Sequence, residues 1–203
     1  MPKKRGALVA IEGIDQSGKR TQARLLASRL RSIGYSCKVL NFPDYTTPLG
    51  RQLRSYLAGR VRFDFHAVHL LYAANKWERT SEIIHDIHRG RNVIVNRYSP
   101  SNMAYGLAHG LPLDWLVMTE QFLPKADVVL VLDVSPRTSF SRKKRLRDVH
   151  EGNIGYLSKV RRAYLRLARL NRWKVIDGER HAHIVHLELW RHVSRIFRGR
   201  LKQ

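Results

Sequence analysis

The chain has 203 residues, 43% of them hydrophobic, and a formal net charge of +22 from 38 basic against 16 acidic side chains. That length suits one domain over residues 1–203 with a substantial core, and the composition is that of a globular protein, which excludes a fibrous or disordered chain. No apolar run approaches the roughly 20 residues of a membrane-crossing helix, and the single cysteine, Cys37, excludes an internal disulfide.

Strand-like and helix-like segments alternate along the chain. The basic start Met1-Pro2-Lys3-Lys4-Arg5 carries no small-residue cleavage site and enters a buried strand over Ala7 to Ile11, which argues against a signal peptide. A glycine-bearing turn follows, then a helix from Lys19 to Ser32 with Leu25, Leu26, Leu30 and Ile33 as its apolar stripe and Gly34 as its stop. Cys37 to Phe42 reads as a strand ended by Pro43, and Pro48 to Leu57 as a helix with proline at its start. Phe65 to His88 reads as one long helix closed by Gly90, Asn92 to Asn96 as a strand and Pro100 to Ala108 as a helix. Asp127 to Leu132 is a strand, Ser135 to Lys144 and Tyr156 to Leu170 are helices around a basic connector, Trp173 to Ile176 is a strand, and His183 to Phe197 closes the chain as a helix. Short β-branched strands separated by helices predict a three-layer α/β fold, a parallel sheet covered on both faces. In such sheets ligands bind beyond the carboxyl ends of the strands, where Asp44, Asn96, Arg97, Asp133 and Asp177 fall.

Gly13-Ile14-Asp15-Gln16-Ser17-Gly18-Lys19 lies between the first strand and the first helix, the context a phosphate-binding loop requires. Its glycines let backbone N–H groups converge on an anion, the helix start adds its positive end, and Lys19 supplies a point charge. The motif calls for Ser or Thr after the lysine to hold magnesium; Arg20 stands there, with Thr21 one place late. Arg97, closing the third strand, suits either a bidentate phosphate contact or an ion pair with a carboxylate such as Asp44. Tyr72 and Lys76 share a helix face, as a stacking platform beside a cation or as core residues. The run Ser141-Arg142-Lys143-Lys144-Arg145-Leu146-Arg147-Asp148 is either a solvated helix end or a mobile lid, about residues 141–152, that brings charge to a moving phosphoryl group.

Much of the remaining positive charge sits on helices, at Arg24, Arg29, Arg31, Arg161, Arg162, Arg166 and Arg169. A solvated surface of this kind attracts polyanions, so nucleic acid is expected to bind only nonspecifically and at low salt. The histidine pairs lack a metal-binding spacing, Cys37 reads as a packing residue, and the sparing use of cysteine suits a cytoplasmic protein.

Taken together, Glu12-Gly13-Ile14-Asp15, Ser17-Gly18-Lys19, Thr21-Gln22, Phe42-Pro43-Asp44, His69 through Asn75, Arg97-Tyr98, Ser101, Ala104-Tyr105 and Leu123 through Asp127 resemble, in order and spacing, the thymidylate kinases of the P-loop nucleoside monophosphate kinase group. The wording is closer to archaeal than to bacterial members. The resemblance runs from about Gly6 to at least Asp177. It implies about five parallel strands in flavodoxin-like order, a homodimer, and transfer of the γ-phosphoryl of ATP to dTMP with Mg2+. Matched by position, Gly13, Ile14, Asp15, Gln16, Ser17, Gly18 and Lys19 should wrap the ATP phosphates, with Arg20 and Thr21 beside them. Asp15 should meet the sugar 3′-hydroxyl and Arg97 the acceptor phosphate. Tyr72 should stack on the base within a dTMP site that includes Phe42 and Ser101, and Tyr105 should favour deoxyribose. Arg142, Lys143 and Arg145 fall in the lid, and the segment after Ile176 should approach the adenine.

The departures concern the metal and the base. Arg20 replaces the hydroxyl residue and Asn96 the usual aspartate, which leaves Glu12 and Asp133, through water, as candidate metal partners. Lys76 stands where arginine reads a base carbonyl, and Tyr45 where some members carry arginine. The expected function is dTMP kinase. The alternatives are a nucleotide-binding protein with weak or altered kinase activity, and a kinase for another nucleoside monophosphate.

Overall fold

In the computed structural model, residues 5–142 and 153–201 are described, with side chains through Phe197. The described elements are β1 (Leu8–Glu12), α1 (Lys19–Ser32), β2 (Cys37–Asn41), α2 (Pro48–Leu57), α3 (Phe65–Trp77), α4 (Thr80–His88), β3 (Asn92–Asn96), α5 (Ser99–Ala108), α6 (Leu113–Glu120), β4 (Val128–Asp133), α7 (Pro136–Arg142), α8 (Ile154–Asn171), β5 (Lys174–Asp177) and α9 (Ala182–Leu201). The strands form a parallel five-stranded sheet ordered β2-β3-β1-β4-β5, which corrects the expected flavodoxin-like order β2-β1-β3-β4-β5: β1, with β3 and β4 on either side, is the central strand. The central strand β1 is buried throughout, and its alternation divides the core. Ala7, Val9 and Ile11 join Ala23, Leu26 and Leu30 of α1 and Val185, Leu189 and Val193 of α9 on one face. Leu8 and Ala10 join Phe42, Ile83, Ile87 and Tyr98 on the other. Helices on both faces and uniform strand direction put every strand's carboxyl end, and so Asn41, Asn96, Glu12, Asp133 and Asp177, along one edge.

The apolar stripe of α1 differs from the expected one. Ala23, Leu26, Ala27 and Leu30 are buried, whereas Leu25 and Ile33 are 38% and 44% exposed. About 100° separates successive residues of a helix, so Leu25 turns off the face that Leu26 occupies. Gly34 does end the helix, at φ 87, with the Tyr35 N–H returning to the Leu30 carbonyl.

The predicted long helix from Phe65 to His88 is two helices. α3 ends at Trp77, Arg79 has φ −110 and ψ −1, and α4 begins at Thr80. No glycine or proline marks the break. What holds it is tertiary: from the turn, Arg79 Nε donates to Asp44 Oδ2 at 2.7 Å and Arg79 Nη2 to Thr46 Oγ1 at 3.0 Å. The helix α6 was not predicted. It is short, follows Pro112, and its run Leu113-Asp114-Trp115-Leu116-Val117-Met118 is too evenly apolar to display a stripe.

The Asp44–Arg79 contact gives a pH signature. Burial pushes the Asp44 carboxyl up, but hydrogen bonds from the Thr46 hydroxyl and N–H and from Arg79 outweigh it and hold it below its ordinary value of 3.8. A depressed folded value means its stabilisation is complete above the unfolded value and is lost as pH falls through the folded one. Asp44→Asn is expected to cost about 1 kcal/mol at neutral pH. In thermal unfolding followed by circular dichroism, the gap to wild type should close below pH 3.8.

Candidate active site

The turn between β1 and α1 has the backbone shape an anion needs. Gly13 has φ 134, and a Cβ there would lie 2.5 Å from the Leu132 carbonyl oxygen. Gln16 and Gly18 are also left-handed, at φ 54 and φ 92. Gly18 caps α1 without a side chain, so the first-turn N–H groups and the helix's positive end face outward for a ligand. Lys19 is buried, and its Nζ donates to the Ile14 carbonyl at 2.6 Å and to Ser17 Oγ at 3.3 Å.

Two clefts meet at the carboxyl edge. The larger, about 1250 Å³, is lined by residues 15–22 with Asn96, Arg97, Arg142, Gly178, Arg180, Ala182 and Val185. Among the described residues its cations are Lys19, Arg20, Arg97, Arg142 and Arg180 and its one lining carboxylate is Asp15, a balance suited to a phosphate chain. Gly13 and Ile14, expected to wrap the phosphates with these residues, are not among its lining; Ile14 is buried against Ala104 and Tyr105. The segment after Ile176 does enter the cleft, through Gly178, Arg180, Ala182 and Val185. Arg142, at the end of α7, donates to the Gln16 carbonyl at 3.2 Å and the Gly178 carbonyl at 3.1 Å. The other expected lid residues, Lys143 and Arg145, lie outside the described residues.

The smaller cleft, about 590 Å³, is aromatic: Phe42, Tyr45, Tyr72, Tyr98 and Tyr105 line it with Asn75, Lys76, Ser101 and Asn102. Phe42, Tyr72, Lys76, Ser101 and Tyr105 thus come together from β2, α3 and α5, as the resemblance implied. Pro43, Tyr45, Asn75 and Asn102 complete the wall, and the sequence reading did not single them out as ligand contacts. An amide in a helix interior gives little sign of function without the fold around it.

Asp15 and Arg97 line both clefts. Arg97 follows β3 in a left-handed conformation, φ 64, and its Nη2 donates to Asp15 Oδ1 and, at 3.1 Å, to Tyr105 Oη. Tyr105 Oη donates to Asp15 Oδ2 at 2.7 Å. Burial opposes the charge on Arg97, but Asp15, Tyr105 and Tyr164 together outweigh it and the guanidinium stays firmly protonated. The partner of Arg97 is therefore Asp15, while the alternative partner, Asp44, pairs with Arg79.

The two carboxylates expected near the metal both have partners within the protein. Glu12 is wholly buried and lines neither cleft: it accepts from the Tyr98 N–H at 2.6 Å, Ser101 Oγ at 2.6 Å and Tyr164 Oη at 3.0 Å. Burial raises its pKa despite these bonds. Asp133 is taken by Arg161, whose Nε and Nη2 lie 2.6 and 2.8 Å from its two oxygens. Among the described residues no cluster of three or more His, Cys, Asp or Glu side chains could hold a metal ion. Among the described residues two oxygens at the larger cleft are unused: Asn96 Oδ1 and Gln22 Oε1 are buried without a hydrogen bond, while Asn96 Nδ2 donates to Asn41 Oδ1 and Gln22 Nε2 to the Ala182 carbonyl. These donors do not make a protein cage for magnesium. They fit an ion that arrives on phosphate oxygens with its waters, the usual habit of Mg2+.

A family model described as thymidylate kinase matches residues 11–189. The thymidylate kinase of Dictyostelium discoideum is 32% identical over 98% of this chain and 88% of its own length. The human thymidylate kinase is 33% identical over 93% of this chain and 90% of its own. A solved thymidylate kinase structure from Candida albicans superposes with a TM-score of 0.85 at 29% identity, covering 94% of this chain and 92% of that one. With the fold and nearly the whole length in agreement, the chain belongs to the thymidylate kinase family.

Proposed function

We propose that the chain transfers the terminal phosphoryl group of ATP to dTMP, giving dTDP and ADP. The observation that carries this is the junction: Asp15 and Arg97 belong to both clefts, so a donor in one and an acceptor in the other would meet at these side chains. The cationic cleft with its uncapped helix start suits the triphosphate. The aromatic cleft suits a nucleoside monophosphate, with Tyr72 as a stacking surface and the Lys76 ammonium as a donor to a base carbonyl.

The chemistry asks little covalent work of the protein. The attacking phosphate oxygen of dTMP is already anionic, so no strong general base is needed, and rate comes from alignment and charge compensation. Lys19 serves the outer phosphates of the donor and Arg97 the phosphate of the acceptor. Tyr105 is 8% exposed and tied to both Asp15 and Arg97, so it closes the sugar side of the cleft against a 2′-hydroxyl. Arg142 adds charge from the lid's entry. Magnesium, when bound with ATP, would screen the phosphate charge. Asn96, which lines the same cleft, would hold one of its waters, and Arg20 would offset part of the phosphate charge.

A homodimer is part of the same reading. Leu70 and Trp77 of α3 and Val117 and Met118 of α6 are 49%, 42%, 41% and 60% exposed, and Phe122 just beyond α6 is 76% exposed. The two helices pack side by side, so they form an apolar face of the kind that a second copy covers. No described helix is long and apolar enough to cross a membrane. Cysteine usage supports a cytoplasmic setting, and nucleic-acid contact should be confined to salt-sensitive, nonspecific attraction.

ADP release measured with dTMP, dUMP, dCMP, dGMP and dAMP, with and without Mg2+, should show turnover preferring dTMP. Equal or absent turnover across that panel would count against the assignment. Arg97→Met should lower kcat/KM for dTMP by about a thousandfold. In light scattering, the pair Met118→Asp and Phe122→Asp should convert a dimer to a monomer, and an unchanged mass would remove the apolar face from the account.

A further inference from the structure

Beneath the aromatic cleft Lys76 is paired with a carboxylate, Glu120, that none of the chemistry above uses. Lys76, on α3, is 3% exposed, and Glu120, the last residue of α6, is 4% exposed. Their side chains are 4% and 1% exposed, with Lys76 Nζ 2.8 Å from Glu120 Oε1. Nζ also donates to the Tyr72 carbonyl at 3.0 Å. An ammonium has three donors, so the two contacts leave one N–H for the cleft that Lys76 lines.

Glu120 is unusual in a second way. Its Oε2 is buried and accepts no hydrogen bond, and the Tyr98 hydroxyl, also buried, makes none either. The charge of Glu120, after burial, is what pushes the Tyr98 hydroxyl above its ordinary value, so the hydroxyl lies within the carboxylate's field. Tyr98 lines the same cleft. A buried carboxylate with one oxygen unsatisfied is costly and does little for stability, since buried pairs often replace well by apolar residues. Such a pair is better explained by what it holds in place.

We propose that Glu120 is the positioning residue for base selection: it anchors the Lys76 ammonium at the back of the aromatic cleft, so that the remaining N–H donates to a carbonyl on the pyrimidine and opposes an amino group at that position. Arginine, as expected at the place of Lys76, would have a planar fork that sets its own geometry; the ammonium is a point charge on a flexible stem and needs an external anchor. The anchor comes from α6, which lies 44 residues further along the chain and carries no motif. An ammonium has no acceptor to offer an amine, and the buried carboxylate holds it in place, so the ring edge meets a permanent donor and a base presenting N–H₂ there leaves both donors unmatched.

The inference rests on the aromatic cleft being the acceptor site, and the test separates the two. The probes are dTMP and 5-methyl-dCMP, which differ at the ring edge in carrying a carbonyl or an amino group. In wild type, steady-state kinetics should favour dTMP, and each probe should compete with the other. Glu120→Gln keeps the volume and an acceptor oxygen but removes the charge. It should raise KM for dTMP about tenfold, leave kcat within about twofold, and shrink the preference over 5-methyl-dCMP. Where that variant unfolds, Lys76→Leu with Glu120→Leu restores an apolar contact; it should stay folded and lose the preference altogether. A preference unchanged in a folded Glu120→Gln, or retained in the double variant, overturns the proposal while leaving the kinase reading intact. Wild type that binds neither probe in the aromatic cleft overturns the acceptor-site reading, and this inference with it.

Discussion

The Arg97 guanidinium, clamped between Asp15 and Tyr105, is the contact on which the rest of the site depends. It sits where two clefts open into each other, and its backbone is left-handed, a conformation that costs a non-glycine residue about 1–2 kcal/mol. The surrounding structure imposes that conformation. The Arg97 N–H donates to the Ile11 carbonyl at 3.1 Å and the next N–H, of Tyr98, to Glu12 Oε1 at 2.6 Å. Ser101, one turn into α5, donates to the other oxygen of the same carboxylate at 2.6 Å. Glu12 therefore works as a splint. Wholly buried, it ties β1 to the start of α5 and, through Tyr164, to α8, and Arg97 is delivered to the junction with its side chain aimed at Asp15.

Charge in the larger cleft follows from the same geometry. Where a hydroxyl and a carboxylate would serve a metal, this chain offers Arg20 and Asn96, while Lys19, Arg142 and Arg180 add positive charge on the remaining sides. The balance moves neutralisation of a phosphate chain from a resident cation toward the protein's own side chains. Asp133 is paired with Arg161 and Glu12 with Ser101, Tyr98 and Tyr164. The high net charge of the chain agrees with this.

Much of this was legible in the sequence. Strand-turn-helix context with Gly13, Gly18 and Lys19 located the phosphate loop, because only glycine meets its backbone demands cheaply, and β-branched strands separated by helices set the parallel sheet. Order and spacing of short motifs brought Phe42, Tyr72, Lys76, Ser101 and Tyr105 to one cleft. The failures have a common cause. The break at Glu78-Arg79 carries no local breaker and is held by Asp44, 35 residues away in sequence. The partners of Glu12 and Asp133 lie on α5 and α8, so their commitment could not be seen from strand ends alone. Glu120 ends a helix that pattern reading missed, and only the fold brings it under Lys76. Local signals reported turns and faces; contacts between distant segments decided which polar residues remained available to a ligand.

The most direct measurement is a crystal structure with a bisubstrate analogue, adenosine and thymidine joined through a five-phosphate chain. The expected result has adenosine phosphates in the turn at residues 13–19, thymine against Tyr72, and Arg97 on a phosphate at the junction. An analogue held by one cleft with the other empty, or a phosphate chain that bypasses Arg97, would contradict the shared-junction account.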